Sequence, residues 1–196
     1  CAHVLAHDLS VSVAQELLAR QLEHEQSGQP GRMVRSTCFL NGGLFPETHQ
    51  PRLIQKLLAS PIGPLVSRLV TQRSFERSFA AVFGERTRPS KQELAEFWEV
   101  ITYNSGSRIT HRLILYMEDR RPHRERWLGA LQRTRVPLRL VNGAADPVSG
   151  AHMAARYREL VPRPDIVSLE GIGHYPMVED PQAVRRALLD FVGAIA

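Results

Sequence analysis

The feature that most constrains the fold is an alternation of short apolar segments with longer amphipathic ones. The short segments have the length of strands and end at polar or glycine-rich turns, as buried strands do. They span residues 2–7, 33–40, 136–141 and 166–169. Because strands that alternate with helices form parallel βαβ units, the sequence predicts an α/β fold with a mostly parallel sheet.

Amphipathic helices are predicted after the first strand and at the end of the chain. The apolar face of the helix predicted at 11–26 consists of Ala14, Leu17, Leu18 and Leu22. Gln29-Pro30-Gly31 is expected to end that helix. The last helix is predicted to begin at Pro181, with Asp180 as its N-cap. Its apolar stripe consists of Val184, Leu188, Phe191, Val192 and Ile195.

The segment 45–135 has a different character, since it is helical in pattern, rich in arginine, proline and aromatic residues, and without a convincing strand. A long helical insertion between two strands of one sheet predicts a lid over the carboxyl ends of the strands, where parallel sheets bind ligands. We therefore expect a core at 1–44 and 136–196, covered by a lid at 45–135.

Charge and cysteine content argue against several classes of protein. The 25 basic and 20 acidic residues give a net charge of +5, and the basic residues are scattered among acidic ones. No nucleic-acid partner is therefore expected, and the only dense basic patch lies at 119–126. Cys1 and Cys38 are too few for a disulfide framework, and both are expected to be buried free thiols.

The sequence contains no apolar run long enough to cross a bilayer and no signal-peptide pattern, so a cytoplasmic protein without a membrane span is expected. Its eight histidines form no H-E-x-x-H motif and share no zinc-binding spacing with the cysteines. A glycine-rich phosphate loop is also missing. We expect neither a metal nor a cofactor.

Asp8 stands where a predicted strand passes into a predicted helix, within Ala6-His7-Asp8-Leu9-Ser10. A nucleophile on such a tight turn needs small residues two positions to either side, and Ala6 and Ser10 meet that need. The following helix directs its positive N-terminal end at the carboxylate. An aspartate here could also serve as a helix N-cap. Ser10 is the weaker candidate nucleophile, because its own small neighbour would have to be Asp8.

Asp146 and His174 follow two later predicted strands, in NGAADP and GIGHYP. A carboxylate at Asp146 could accept a hydrogen bond from a histidine Nδ1–H, or it could cap a helix that begins at Pro147. A single histidine in a loop is usually a surface residue. The order Asp8, Asp146, His174 is nevertheless the order of nucleophile, acid and base in α/β-hydrolases.

The sequence resembles one branch of that superfamily in four segments: AHD-x-S, NGGLFPETHQPRLIQKLL at 41–58, NGAADP and GIGHYPMVEDP. They resemble the mesoderm-specific transcript branch of the α/β-hydrolases, which is related to epoxide hydrolases and haloalkane dehalogenases. The resemblance implies that Asp8 forms an alkyl–enzyme ester and that His174, oriented by Asp146, activates water. It implies a small apolar electrophilic substrate and is compatible with a homodimer. A carboxylate nucleophile also suits epoxides and halides better than esters, which would give an unstable anhydride.

Four positions bear on the choice of activity within that superfamily. Leu9 replaces the tryptophan whose N–H holds the halide in dehalogenases. Tyr116 matches the second lid tyrosine of epoxide hydrolases, although it could equally be a tyrosine of the lid core, and Trp98 replaces the first, with Tyr103 as a substitute. The resemblance therefore implies an epoxide-hydrolase-like enzyme, with a dehalogenase-like enzyme or a catalytically silent binding module as alternatives.

Leu9 also supplies a backbone N–H to the expected oxyanion hole. In relatives the second donor comes from a His-Gly-x-Pro loop, which this sequence does not contain. The chain begins without methionine inside CAHVLAHD, an apolar stretch predicted as a strand. We therefore expect a truncated chain, with the strands that carry this loop upstream of Cys1.

Overall fold

In the computed structural model, which describes residues 1–28 and 33–195, the described strands form one parallel sheet. The strands are β1 (Ala2–Ala6), β2 (Val34–Phe39), β3 (Leu138–Gly143) and β4 (Ile166–Leu169). They lie side by side in chain order, with Leu5 opposite Cys38 and Leu140 opposite Ile166. The predicted α/β fold is confirmed.

The strand boundaries agree with the prediction to within one residue except at β3, which begins at Leu138 and ends at Gly143. Pro137 has no N–H to donate and does not start a ladder, although its carbonyl accepts a hydrogen bond from Thr37 N at 3.0 Å. The strand then continues past its predicted end, where Gly143 pairs with Leu169 of β4.

Helices cover both faces of the sheet. On one face, α1 (Leu9–Gln26) and α9 (Ala151–Leu160) pack on the sheet through Leu18 and Met153. On the other face lies α11 (Pro181–Gly193), whose Asp180 cap accepts a hydrogen bond from Ala183 N at 2.9 Å, as predicted. The predicted end of the first helix at 29–31 lies outside the described residues.

Between β2 and β3 the regular elements are all helical, and turns and loops join them. The helices are α2 (Leu53–Leu58), α3 (Gly63–Leu69), α4 (Gln72–Ala80), α5 (Lys91–Thr102), α6 (Thr110–Leu113), α7 (Tyr116–Asp119) and α8 (Arg124–Arg133). Short 3-10 segments span Pro46–Thr48 and Tyr103–Ile109. Helix α8 packs against α1, and its Leu128 and Leu131 belong to the main core. The lid at 45–135 stays a prediction, and α8 is the part of it that lies within the core.

Four apolar residues lie exposed along β1 and α1 and directly before β2, and we call them the β1–α1 face: Leu5, Leu9, Val13 and Met33. Only the carboxyl end of β1, at Ala6, is buried. The expectation of a buried thiol is consequently wrong for Cys1, which precedes this open end and is exposed, whereas Cys38 is buried. Among the described helices, none is long and apolar enough to cross a membrane.

A short α10 (Pro176–Glu179) follows β4 and precedes α11. It lies directly after His174, so the loop from β4 to α10 places this histidine at the carboxyl edge of the sheet. Asp8, after β1, and the loop after β3 lie at the same edge, because the strands are parallel.

Candidate active site

Asp8 sits on a sharp turn between β1 and α1. Its φ of 51° and ψ of −111° lie outside the regions that non-glycine residues ordinarily adopt, which is typical of functional residues held by their surroundings. The Asp8 N–H donates to Asn41 O at 2.8 Å, and a Cβ on Gly42 would come within 2.9 Å of Asp8 O. The Asp8 side chain makes no capping hydrogen bond with α1. The carboxylate is therefore free of the N-cap role that the sequence left open.

Ser10, the weaker candidate nucleophile, is held within the same turn. Its hydroxyl donates to His7 O at 2.6 Å and accepts from His7 N at 2.7 Å. Both bonds link the hydroxyl to the backbone of the turn. They favour a structural role for Ser10 in shaping the elbow that presents Asp8.

The structure brings the three predicted residues Asp8, Asp146 and His174 together. His174 Nδ1 lies 2.8 Å from Asp146 Oδ2, which is a hydrogen bond, and His174 Nε2 lies 3.9 Å from Asp8 Oδ1. The Asp146 side chain is fully buried and that of His174 is 8% exposed, whereas the Asp8 side chain is 41% exposed. One edge of the histidine thus faces a buried acid and the other faces an accessible carboxylate.

Asp146 is held as a carboxylate by a ring of donors. Its Oδ2 accepts from Asn41 Nδ2 at 3.0 Å and from Ser149 Oγ at 2.7 Å, and its Oδ1 accepts from Val148 N at 2.7 Å. Burial by itself raises the pKa of Asp146, but the hydrogen bonds and the neighbouring His174 outweigh burial and lower that pKa to about 2. The helix that follows begins only at Ala151, so Asp146 does not cap it.

The buried carboxylate sets the state of His174. Burial by itself lowers the pKa of His174, but the hydrogen bond and the charge of Asp146 outweigh burial and raise that pKa above 6.5. When His174 is neutral, its Nδ1–H donates to Asp146, and the lone pair of Nε2 points to the side of Asp8. This is the arrangement that a general base requires.

Tyr116 is the predicted lid donor that reaches the site. Its hydroxyl donates to Asp8 Oδ1 at 2.9 Å. Burial and the charge of Asp8 raise the pKa of Tyr116, whereas the guanidinium of Arg120, 4.8 Å from the ring centroid, acts in the opposite direction. Arg120 is 2% exposed, and its Nε donates to Ser12 Oγ at 3.1 Å. The phenol therefore keeps its proton at neutral pH and can donate it.

Trp98 and Tyr103, the other predicted lid donors, are not brought to Asp8. The Trp98 ring packs against Phe75 with centroids 5.5 Å apart, and Tyr103 is 80% exposed. Like Tyr116, neither lines the cavity of about 160 Å³ that contains Asp8 and His174. That cavity is bounded by Arg52, Ile54, Gln55, Phe75, Ser78, Phe79, Val82, Val148 and Tyr175. Its aromatic and aliphatic wall suits an apolar ligand.

Leu9 is the first residue of α1, so its N–H is one of those that no acceptor within the helix can satisfy. This N–H lies next to the Asp8 carboxylate in the chain, where an oxyanion would form. The Leu9 side chain is 41% exposed and offers no hydrogen-bond donor.

Sequence reasoning missed several residues that hold the site. His7 Nε2 lies 2.8 Å from His174 O, and burial lowers the pKa of His7, so the neutral ring can donate to that carbonyl. Glu179 Oε2 accepts from Gly173 N and Gly84 N, both at 2.8 Å, and so links the histidine loop to the helical segment. Asn41 carried a usable signal, because it ends a predicted strand as Asp8 does.

The parallel sheet, with Asp8, Asp146 and His174 at its carboxyl edge, is the architecture of an α/β-hydrolase. Residues 1–187 match the Alpha/beta hydrolase family, and the chain belongs to that family.

Two curated relatives show where the chain falls within the family. It is 41% identical over 192 residues to "Putative hydrolase LipZ" of Mycobacterium tuberculosis, an alignment that covers 96% of this chain and 64% of the relative. It is 37% identical over 197 residues to the "Mesoderm-specific transcript protein" of Mus musculus, covering 98% of this chain and 58% of the relative. The resemblance to the mesoderm-specific transcript branch is confirmed, and the chain spans about three fifths of the length of these relatives.

Solved structures share the fold at low identity. A haloalkane dehalogenase variant, DbeA-M1 from Bradyrhizobium elkanii, superposes with a TM-score of 0.73 at 19% identity, covering 99% of this chain and 67% of that one. The epoxide hydrolase CorEH gives a TM-score of 0.69 at 16% identity, covering 99% of this chain and 68% of that one. At these identities the similarity concerns the fold.

Proposed function

We propose that the protein is a hydrolase that opens epoxides through a covalent ester on Asp8. The observation that carries this proposal is the contact of Asp8 Oδ1 with a proton donor, Tyr116, at 2.9 Å, while His174 Nε2 lies 3.9 Å away. A carboxylate nucleophile, a phenol that can protonate the departing oxygen and a base for water are the three groups that epoxide hydrolysis needs.

In the first step, the free oxygen of the Asp8 carboxylate attacks a ring carbon of the epoxide. The carbon–oxygen bond of the ring breaks, and the epoxide oxygen takes the proton of the Tyr116 hydroxyl. The product is a hydroxyalkyl ester of Asp8 and a tyrosinate. Arg120, whose guanidinium lies 4.8 Å from the Tyr116 ring centroid, stabilises that negative charge.

In the second step, His174 Nε2 takes a proton from water, and the hydroxide oxygen attacks the ester carbonyl of Asp8. The Leu9 N–H and the N-terminal end of α1 stabilise the oxyanion. The ester bond then breaks, and the alkoxide leaves with the proton from His174. The remaining proton of the new acid returns to Tyr116, which restores the site and leaves a diol.

Haloalkane hydrolysis by the same nucleophile is the second candidate, because a carboxylate at Asp8 could displace a halide as well as open an epoxide. A departing halide needs donors near the nucleophile, and the exposed Leu9 side chain has none to offer. Tyr116 donates to the carboxylate itself, which suits an oxygen leaving group that must be protonated. The balance of these contacts favours the epoxide.

Trapping the ester tests the proposal. We expect His174→Ala to form the ester on an aryl or alkyl epoxide and then to stall, so mass spectrometry should find the added mass on the peptide that contains Asp8. Asp8→Asn should abolish the adduct. Tyr116→Phe should slow its formation by about 10²–10⁴-fold, the usual contribution of a positioned acid.

Ser10→Ala is the matched control for the weaker candidate nucleophile. Because the Ser10 hydroxyl shapes the elbow, its loss should slow adduct formation, but the adduct should still form on Asp8. An adduct that survives Asp8→Asn, or that disappears only with Ser10→Ala, would refute the aspartate nucleophile. Adduct formation from an alkyl chloride at a rate that Tyr116→Phe does not change would instead establish the dehalogenase-like reaction.

A further inference from the structure

Helix α3 packs with its small residues inward. Gly63 and Ser67 are buried, and Ser67 Oγ donates to Arg108 O at 3.2 Å and lies 3.1 Å from His111 Nδ1. Its large apolar residues point outward, since Leu65 is 58% exposed and Leu69 is 68% exposed. Burying two leucine side chains would stabilise a helix far more than burying a glycine and a serine, so this orientation needs another explanation.

The exposed leucines of α3 belong to a larger apolar surface. Helices α2, α3 and α6 and the 3-10 segment Tyr103–Ile109 contact one another. Together with Ile62, which directly precedes α3, they expose six large aliphatic side chains, which we call the lid face: Leu53, Ile62, Leu65, Leu69, Ile109 and Leu113. Clustered exposed apolar residues on neighbouring elements mark an interaction surface.

The same elements are strongly basic. Helices α2, α3 and α6 and the 3-10 segment Tyr103–Ile109 contain four lysines and arginines and no aspartate or glutamate. Lys56, Arg68, Arg108 and Arg112 are exposed. None of these four takes part in an ion pair within 1–28 and 33–195, whereas arginines elsewhere, such as Arg126 with Glu16, do. The lid face is therefore both apolar and cationic.

We propose that the lid face binds an anionic lipid surface. Aliphatic side chains among unpaired arginines and lysines are the combination that interfacial proteins use, since the former enter the acyl boundary while the latter contact the headgroups. A second copy of the chain fits less well, because a symmetric dimer would bring the same unpaired cations face to face. Single-stranded nucleic acid would need several aromatic residues for stacking, and the four elements that carry the lid face present one exposed aromatic ring, Tyr103.

The lid face adjoins the candidate active site through α2. Ile54 and Gln55 of this helix line the cavity that contains Asp8, whereas Leu53 and Lys56 on the same helix are exposed. An apolar substrate dissolved in the lipid would thus enter next to the site without crossing water. This consequence rests on the proposed epoxide hydrolysis, but lipid binding itself does not.

Vesicle sedimentation of the purified chain tests the proposal. We expect binding to phosphatidylcholine vesicles that contain phosphatidylserine, weak binding to phosphatidylcholine alone, and loss of binding at high salt. Arg68→Gln with Arg112→Gln should weaken binding roughly 25-fold, at about fivefold for each arginine. Leu65→Glu with Leu69→Glu should reduce binding at least as much, because it removes apolar area and adds negative charge.

Matched controls separate the lid face from the rest of the surface. Val13→Glu on the β1–α1 face and Leu189→Glu on α11 alter equally exposed apolar positions and should bind as the parent does. Arg158→Gln with Arg186→Gln removes two exposed arginines on α9 and α11, outside the lid face, and should also have little effect on vesicle binding. Circular dichroism checks that each variant is folded. If Leu65→Glu with Leu69→Glu does not fold, the binding of Arg68→Gln with Arg112→Gln tests the proposal.

Three results would overturn the proposal. The first is equal binding to vesicles with and without phosphatidylserine. The second is parent-like binding by the arginine and leucine variants of the lid face. The third is loss of binding in Val13→Glu and in no other variant. If the chain is a dimer in the absence of lipid, and Leu65→Glu with Leu69→Glu dissociates that dimer, the lid face would be assigned to contact with a second copy of the chain. Because no substrate is used, none of these results depends on the proposed hydrolase activity.

Discussion

Replacing Asn41 with alanine should destabilise the protein more than its size suggests, because this side chain links two strands at the site. Asn41 is completely buried at the end of β2. Its Oδ1 accepts from Gly143 N at 2.7 Å, and its Nδ2 donates to Gly143 O and to Asp146 Oδ2, both at 3.0 Å. The amide thus closes the carboxyl ends of β2 and β3 around the acid of the site.

The size of the effect follows from the groups left behind. A buried N–H such as that of Gly143 costs about 1–3 kcal/mol when it loses its acceptor, and a hydrogen bond to a charged group such as Asp146 contributes about 1.5–3 kcal/mol. These costs are not strictly additive, so we expect Asn41→Ala to lower the free energy of unfolding by about 3–5 kcal/mol. That is a large share of the roughly 5–15 kcal/mol by which domains are stable.

Urea denaturation followed by circular dichroism measures this loss, and Asn142→Ala is the matched control. Asn142 is equally buried and adjacent to the same site, but it makes one hydrogen bond, from Nδ2 to Ser149 O at 2.9 Å, and its Oδ1 has no partner among the described residues. Its replacement should cost about 1 kcal/mol. If Asn41→Ala costs no more than Asn142→Ala, the bonds of Asn41 do not hold the strand ends together.

Three further outcomes are expected. The pKa of Asp146 is lowered from 3.8 to about 2, so the ionised carboxylate stabilises the fold fully above pH 3.8, and this stabilisation is lost as the pH falls towards 2. Asp146→Asn should remove this pH dependence of the free energy of unfolding, as measured by urea titrations at successive pH values. Because the pKa of His174 is raised and its neutral form is the base, ester hydrolysis in stopped-flow assays should increase with pH through an apparent pKa above 6.5; a midpoint below 6.5 would contradict this. Gly173→Ala should destabilise the histidine loop, since the new Cβ would lie 2.4 Å from Val82 O, whereas Gly193→Ala meets nothing within 4 Å and should be neutral or slightly stabilising; equal melting temperatures for the two would refute the steric argument.

The local elements and the chain order of the site residues are predictable from the amino-acid sequence. Alternating apolar and amphipathic segments predicted the strands, because side-chain periodicity reports directly on burial. The small neighbours Ala6 and Ser10 indicated the turn at Asp8 before its unusual backbone angles were known. Asp146 and His174 could be placed as well, since parallel strands bring their carboxyl ends to one edge.

Which side chains meet at that edge depends on tertiary contacts. Tyr116 reaches Asp8 across 108 residues of sequence, whereas Trp98 turns to Phe75, and sequence position alone does not distinguish these two outcomes. The role of Asn41 and the outward leucines of α3 were hidden for the same reason. Each depends on contacts between distant segments, and such contacts are settled when helices pack and buried polar groups find their partners, not by the local pattern of residues.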